Sequence, residues 1–253
     1  MLIRMSLPMV LHRFHLLFGF AAALSLPSEF KRCSLSDPKR EECLRDAIQH
    51  AFPLLKNGLP EFNFPPLEPT RIESMTIGEG HGSVDIRQTY KNVELHGMSE
   101  VKVNSISLEE AGDVATLSLT GIYDKLRMEA DYEIDGRVLL LSVHGKGRCV
   151  INLYNVTANP TIISKQYEKN GTTYSRIETF NASTNPKKVD FHFENLFDGN
   201  EILGREVNNL INAEWEVVFG DVKPALDIAL GAIFKRIANI IYTKVPFYEL
   251  FPK

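Results

Sequence analysis

The chain has 253 residues, 44% of them hydrophobic, with 28 Lys and Arg against 32 Asp and Glu. That length and apolar fraction suit one globular or elongated unit with a sizeable core. The slightly acidic balance carries no basic patch, which excludes the electrostatic footprint of a nucleic-acid-binding protein.

The first residues read as a removable leader. Arg4, His12 and Arg13 precede the apolar run Phe14 to Leu24, and Ala21-Ala22-Ala23 offers small residues for cleavage. The run is shorter than the roughly twenty residues of a membrane span. A signal peptide over 1–23, cleaved at about 23–25, followed by one domain over 26–253, is therefore expected, with the mature protein secreted and extracellular. Secretion changes the meaning of the cysteines. Cys33 and Cys43 close a short polar loop, and in an oxidising compartment a disulfide there is expected to contribute about 3 kcal/mol. Metal ligation is the alternative, although no paired His or Cys cluster stands nearby. Cys149 alternates with Ile151 and Leu153 and reads as a buried free thiol on the inner face of a strand.

A helical pattern follows at Leu44, Ala47, Ile48, Ala51 and Leu55, with Gly58 placed to cap it and Pro60, Pro65, Pro66 and Pro69 imposing an extended run. From about Thr70 to Phe193 the hydrophobic period becomes two. Its clearest stretch is Lys125 to Ile134, where Leu126, Met128, Ala130, Tyr132 and Ile134 alternate with Lys125, Arg127, Glu129, Asp131 and Glu133. Such strands are wet on one face only, as in antiparallel sheets. Asp135-Gly136 and Asn170-Gly171 are hairpin signals. The phase changes between Val103 and Leu108, which predicts a bulge near Ser105. Val189, Phe191 and Phe193 make the last strand.

The period then returns to helical. Leu203, Val207, Ile211, Trp215, Val218, Val222, Leu226, Ala229, Ile233, Ile237 and Ile240 follow one another in steps of three or four, a continuous stripe. Glu206, Asn208, Asn209, Asn212, Glu216, Asp227 and Arg236 fall between and read as a wet opposite face. An unbroken helix over about forty-five residues would be roughly 65–70 Å long, against a diameter near 45 Å for a compact domain of this size. The fold is thus either elongated along the helix or bent, and Gly220 and Pro224 mark the expected bend. Two helices meeting at Gly220–Asp221 are the competing reading. Meandering strands followed by a long apolar-striped helix imply α+β, arranged most economically as a highly curved antiparallel sheet wrapped round the helix.

Catalytic and cofactor chemistry is not legible. The histidines lack metal-site spacing, Gly78, Gly80 and Gly82 do not open a helix, and Gly145-Lys146-Gly147 lacks the Ser or Thr of a P-loop. Ser83 lacks the closing glycine of a nucleophile elbow. No catalytic residue, metal or cofactor is assigned. Asn155, Asn170 and Asn181 each head an acceptor sequon for N-glycosylation, Asn170 at a hairpin tip and Asn155 partly shielded by its strand.

Taken in order, Cys33…Cys43-Leu44, Leu59-Pro60-Glu61, Pro65-Pro66-Leu67-Glu68-Pro69, Leu139-Leu140-Leu141…Gly145-Lys146-Gly147, Leu196-Phe197-Asp198-Gly199-Asn200, Asn212-Ala213-Glu214-Trp215 and Phe247-Tyr248-Glu249-Leu250-Phe251-Pro252 resemble the insect takeout/juvenile-hormone-binding protein family. The resemblance covers essentially the whole mature chain. It implies a secreted single-domain carrier, an elongated super-roll with a tunnel for an apolar ligand such as a terpenoid or a fatty acyl lipid. It also implies relatives in juvenile-hormone transport, chemosensation, feeding and clock-controlled behaviour. Juvenile-hormone carriers carry a second disulfide, for which Cys149 has no partner, so the resemblance is nearer to the takeout branch.

Period-two alternation places Ile77, Val84, Ile86, Val101, Val103, Leu117, Leu119, Leu126, Met128, Val143, Phe191 and Phe193 on the interior wall. Leu139 and Leu141 join them from a wholly apolar run that has no phase of its own. The helix residues expected to touch a ligand are Trp215, Val218, Phe219, Val222, Leu226, Ile233, Phe234 and Ile237. Two other functions compete: an extracellular interaction or signalling protein with a solid core, whose partner would be a receptor, and a secreted hydrolase, which needs a nucleophile the sequence does not show.

Overall fold

The protein is represented by a computed structural model that describes residues 24–77 and 84–253. The leader reading and the readings at Gly78, Gly80, Gly82 and Ser83 lie outside the described residues. Among the described residues, helix α1 (Arg40–Leu54) precedes nine strands: β1 (Thr70–Ile77), β2 (Val84–His96), β3 (Lys102–Ala111), β4 (Val114–Val138), β5 (Leu141–Ala158), β6 (Thr161–Lys169), β7 (Thr172–Asn181), β8 (Thr184–Asn185) and β9 (Lys188–Phe193). Helices α2 (Glu201–Ala213), α3 (Trp215–Tyr242) and the short α4 (Phe247–Leu250) complete the chain.

All nine strands belong to one antiparallel sheet organised round β4. Its 25 residues, on the order of 80 Å at the ordinary strand rise, change partners along their length. The second half lies between β2 and β5, and the first half is flanked by β3 and β6. Alternation holds where it was clearest: Met128, Ala130, Tyr132 and Ile134 are buried, while Lys125, Arg127 and Glu133 are exposed. The pairing of β3 with β4 shifts register between Val103 and Ser105, the bulge that the change of phase predicts. Asn170 and Gly171, both at positive φ, turn β6 into β7.

The sheet does not close on itself, so its edges need partners. The C-terminal helices supply them through side chains. Asn208 Oδ1 accepts from the Phe193 N–H and its Nδ2 donates to the Phe193 carbonyl. Asn212, one turn later, does the same for Phe191, at 2.8 and 2.7 Å. Residues four apart on a helix and two apart on a strand advance by about the same distance, roughly 6–7 Å, so the two amides read the edge of β9 as another strand would. Further along, Asp221 accepts from the Val84 N–H, Asp227 from the Thr184 N–H, and Asn239 clasps both backbone groups of Ile177. At Gly231 α3 passes close to the sheet: a Cβ there would lie 2.3 Å from the Phe180 carbonyl oxygen. Glycine in a helix interior costs about 1 kcal/mol relative to alanine, and here that cost allows the close approach.

Several expectations are corrected. The apolar stripe is not one helix. The chain breaks at Glu214 (φ −104°, ψ 29°), and α3 continues through Gly220 and Pro224 without a second break. Pro224 and Gly220 are both exposed, and nothing within 4 Å would meet a Cβ on Gly220. The carbonyl that Pro224 cannot pair thus lies on the solvent side, where water satisfies it. Asn208, Asn212 and Asp227 are not a wet face but half-buried clasps on sheet edges, whereas Glu206, Asn209, Glu216 and Arg236 are exposed as expected. Asp135-Gly136 is no turn: both residues lie inside β4, and glycine is needed at 136 because φ is +147° and a Cβ would strike the Asp85 carbonyl oxygen 2.4 Å away. The reversal occurs three residues later at Leu139–Leu140, with Leu139 at φ 55°. Gly58 also adopts positive φ, but α1 has already ended at Leu54, so it shapes the following turn rather than the cap.

Cys33 and Cys43 are joined by a disulfide, and Cys149 is a buried free thiol opposite Ala130 on β4. Burial pushes the Cys149 thiol up to about 12. The reactive thiolate is therefore almost absent at pH 8. Without reductant, iodoacetamide at pH 8 should leave the native protein unmodified and should label one thiol per chain after unfolding in urea. Labelling of the native protein at the unfolded rate would contradict the buried placement.

Candidate functional site

Among the described residues, the interior between sheet and helices divides into four apolar clusters. The largest joins the inner faces of β1, β2, β4, β5 and β9 to α2 and the first half of α3. It gathers Ile77, Val84, Ile86, Met128, Val143, Phe191 and Phe193 with Val218 and Phe219, and Leu139, Trp215, Val222, Leu226 and Ile233 pack against it partly buried. The other expected wall residues go elsewhere. Val101 is buried with Tyr123 and Val156, and Val103 and Leu126 pack against that group. Leu117 lies under α1 beside Leu44, Cys33 and Leu108. Ile237 packs against Phe62 and Val245. Phe234 sets its ring 5.8 Å from that of Phe180, and Leu119 is half-buried on β4.

The division has a simple cause. Helix α1 covers β3 and the first half of β4, so the inner face there meets α1 rather than the stripe of α3. Leu141 is a correction of a different kind. It shares the inner face with Val143 but stands at the hairpin end and is 44% exposed. Leu139 is half-buried in the turn itself.

At the centre of the largest cluster is a cavity of about 40 Å³. Val84, Ile86 and Gln88 of β2, Ile134 and Val138 of β4, Val143 of β5, Phe191 and Phe193 of β9, and Leu196 form its sheet side. Val207 and Ile211 of α2 and Val218 and Val222 of α3 close it. Sequence reasoning missed Gln88 as a wall residue, although Val84, Ile86, Gln88 and Tyr90 follow one another at period two; its polarity hid it. It is the single polar side chain in the lining. Tyr90, 1% exposed, donates its hydroxyl proton to Gln88 Oε1 at 2.7 Å. Burial raises the Tyr90 hydroxyl above the ordinary tyrosine range, with Cys149 and Tyr132 adding to the effect, so it stays protonated. Tyr132 is raised in the same way and donates to the Glu194 carbonyl.

The site is therefore apolar, uncharged and equipped with one amide. That chemistry suits an apolar molecule and offers neither nucleophile nor acid–base pair. Among the described residues no group of His, Cys, Asp and Glu could hold a metal ion, and no helix is long and apolar enough to cross a membrane.

A family model described as haemolymph juvenile hormone binding protein matches residues 14–252. The circadian clock-controlled protein daywake of Drosophila melanogaster is 30% identical over 238 residues, covering 92% of this chain and 90% of that protein. A Schistocerca gregaria protein to which beta-carotene binding is ascribed is 21% identical, covering 86% of each chain. The crystal structure of Epiphyas postvittana Takeout 1 superposes with a TM-score of 0.76 at 20% identity, covering 88% of this chain and all of that one. It shares the α+β arrangement of a large, open, curved antiparallel sheet with a C-terminal helix.

Proposed function

The chain belongs to the haemolymph juvenile hormone binding protein family, and we propose that it is a secreted carrier holding a small lipophilic molecule between the curved sheet and α3. The observation that carries the reading is the uncharged apolar cavity between Val222 and the inner faces of β2, β5 and β9. Around it, Trp215, Val222, Leu226 and Ile233 of α3 pack against the core but remain only partly buried. A lipid would occupy this space by parting these side chains from Val84, Ile86, Val143, Phe191 and Phe193. The names of the relatives support a terpenoid ligand and a clock-linked physiology, and a fatty acyl lipid suits the same uncharged apolar lining. Asn155, Asn170 and Asn181 are all exposed, Asn155 included, and so are open to glycosylation in the secretory route.

Energetics permit it. Burying about 400 Å² of a fifteen-carbon ligand contributes roughly 10 kcal/mol gross at about 25 cal/mol per Å². Lost freedom offsets about 4 kcal/mol or more, leaving a dissociation constant on the order of tens of micromolar. One observation favours a second reading, an extracellular interaction protein with a solid core: the cavity, at about 40 Å³, is far below the roughly 300–1,000 Å³ of ordinary ligand pockets. Native mass spectrometry of the protein secreted from its own cell type, followed by organic extraction, separates the two. The carrier reading expects a mass increment that extraction removes and that resolves to lipid. A bare chain mass before and after extraction, with no uptake of added lipid, supports the solid core.

A further inference from the structure

Gln88 is 8% exposed and lies on the cavity wall. Its Oε1 is committed, because the Tyr90 hydroxyl proton has no other acceptor among the described residues. That fixes which way the amide faces: turning it over would leave both the Tyr90 proton and Oε1 without a partner. Its Nε2 donates to nothing among the described residues. An amide on the cavity wall with no protein acceptor for its N–H groups is open to an acceptor that enters the cavity, since excluding water from the donor without replacing that bond is costly. Its surroundings choose the partner's chemistry. Every other lining side chain is apolar, so no cation is at hand for a carboxylate, and an ionised head there would be buried unpaired.

We propose that Gln88 is the specificity-determining residue of the interior, its Nε2 donating to a neutral acceptor (a ketone, ester or ether oxygen) at one end of an otherwise apolar ligand. The cavity, at about 40 Å³, exceeds the roughly 10–15 Å³ that one water requires and suits such a headgroup. Tyr90 acts as a positioning residue, holding the amide with its donor inward. This inference rests on the carrier reading and sharpens it from any lipophile to one class.

The test is displacement of the fluorescent probe N-phenyl-1-naphthylamine by 2-dodecanone and by dodecane, in the parent, Gln88→Leu and Tyr90→Phe. Gln88→Leu should weaken 2-dodecanone about 3–10-fold, the worth of one hydrogen bond, and leave dodecane unchanged or tighter. Tyr90→Phe should weaken the ketone by less and leave the alkane unchanged, which holds the test open should Gln88→Leu fold poorly. In the parent, dodecanoate at pH 8 should displace the probe less well than the ketone. Displacement by both neutral compounds with no selective loss in either variant overturns the role of Gln88 and leaves the carrier reading standing, and dodecanoate matching the ketone overturns the neutral-acceptor assignment. Failure of the parent to bind the probe or either compound overturns both readings.

Discussion

Replacing Asn208 and Asn212 together by leucine should bring the protein close to unfolding. Each asparagine satisfies one N–H and one carbonyl of β9. Leucine is similar in size but can neither donate nor accept. Every backbone group left buried and unpaired costs about 1–3 kcal/mol. Partial rehydration of the edge offsets some of this, so each single variant should lose about 2–4 kcal/mol and the double variant about 4–6 kcal/mol. That is a large part of the roughly 5–15 kcal/mol by which a domain is stable. Asn209, between them on the exposed side, is the control, and Asn209→Leu should stay within about 0.5 kcal/mol. Urea unfolding measures the parent and all four variants. A double variant as stable as the parent would show that α2 does not hold the edge of β9. The freed edge should also promote self-association, visible as concentration-dependent sedimentation.

Val222→Trp addresses the interior itself. Val222 lies on α3 across the cavity from β2 and β9. Under the carrier reading the indole enters the space a lipid would take. Lipid capacity should then fall at least tenfold, while the melting temperature moves by no more than about 3 °C, equivalent to roughly 1 kcal/mol at this size. If the interior is solid, the added bulk has nowhere to go and strains the core by about 1–3 kcal/mol. Calorimetry and probe displacement on one preparation decide between them. Normal binding in a variant that melts well below the parent would end the proposal of a ligand channel at this position.

What the sequence determined by itself is what local patterning can determine. Alternation along Lys125 to Ile134 set which side chains face inward, because side chains on a strand have a period of two whatever they pack against. Asn170-Gly171 specified its turn because few residue pairs adopt positive φ twice in succession. The stripe from Leu203 to Ile240 announced apolar helix, and the two close cysteines announced their bridge. Decisions that depend on a distant partner were not legible. Asp135-Gly136 looks like a turn to its neighbours, yet β2 passes so close that glycine is needed there in mid-strand. Asn208, Asn212 and Asp227 look like solvent-facing polar residues on a helix, and Asn239 gives no signal of its own. Only the arrival of β9, β8 and β7 alongside makes them clasps, since an amide's role is set by whichever backbone it meets. The same holds for the break at Glu214, which separates the segment docked on β9 from the one docked on β7. It holds for Leu117, drawn under α1 rather than α3, and for Gln88, whose polarity marked it as surface until the sheet curved round it. Periodicity names the face of each element; which face meets which, and what space is left between them, is decided by the tertiary packing.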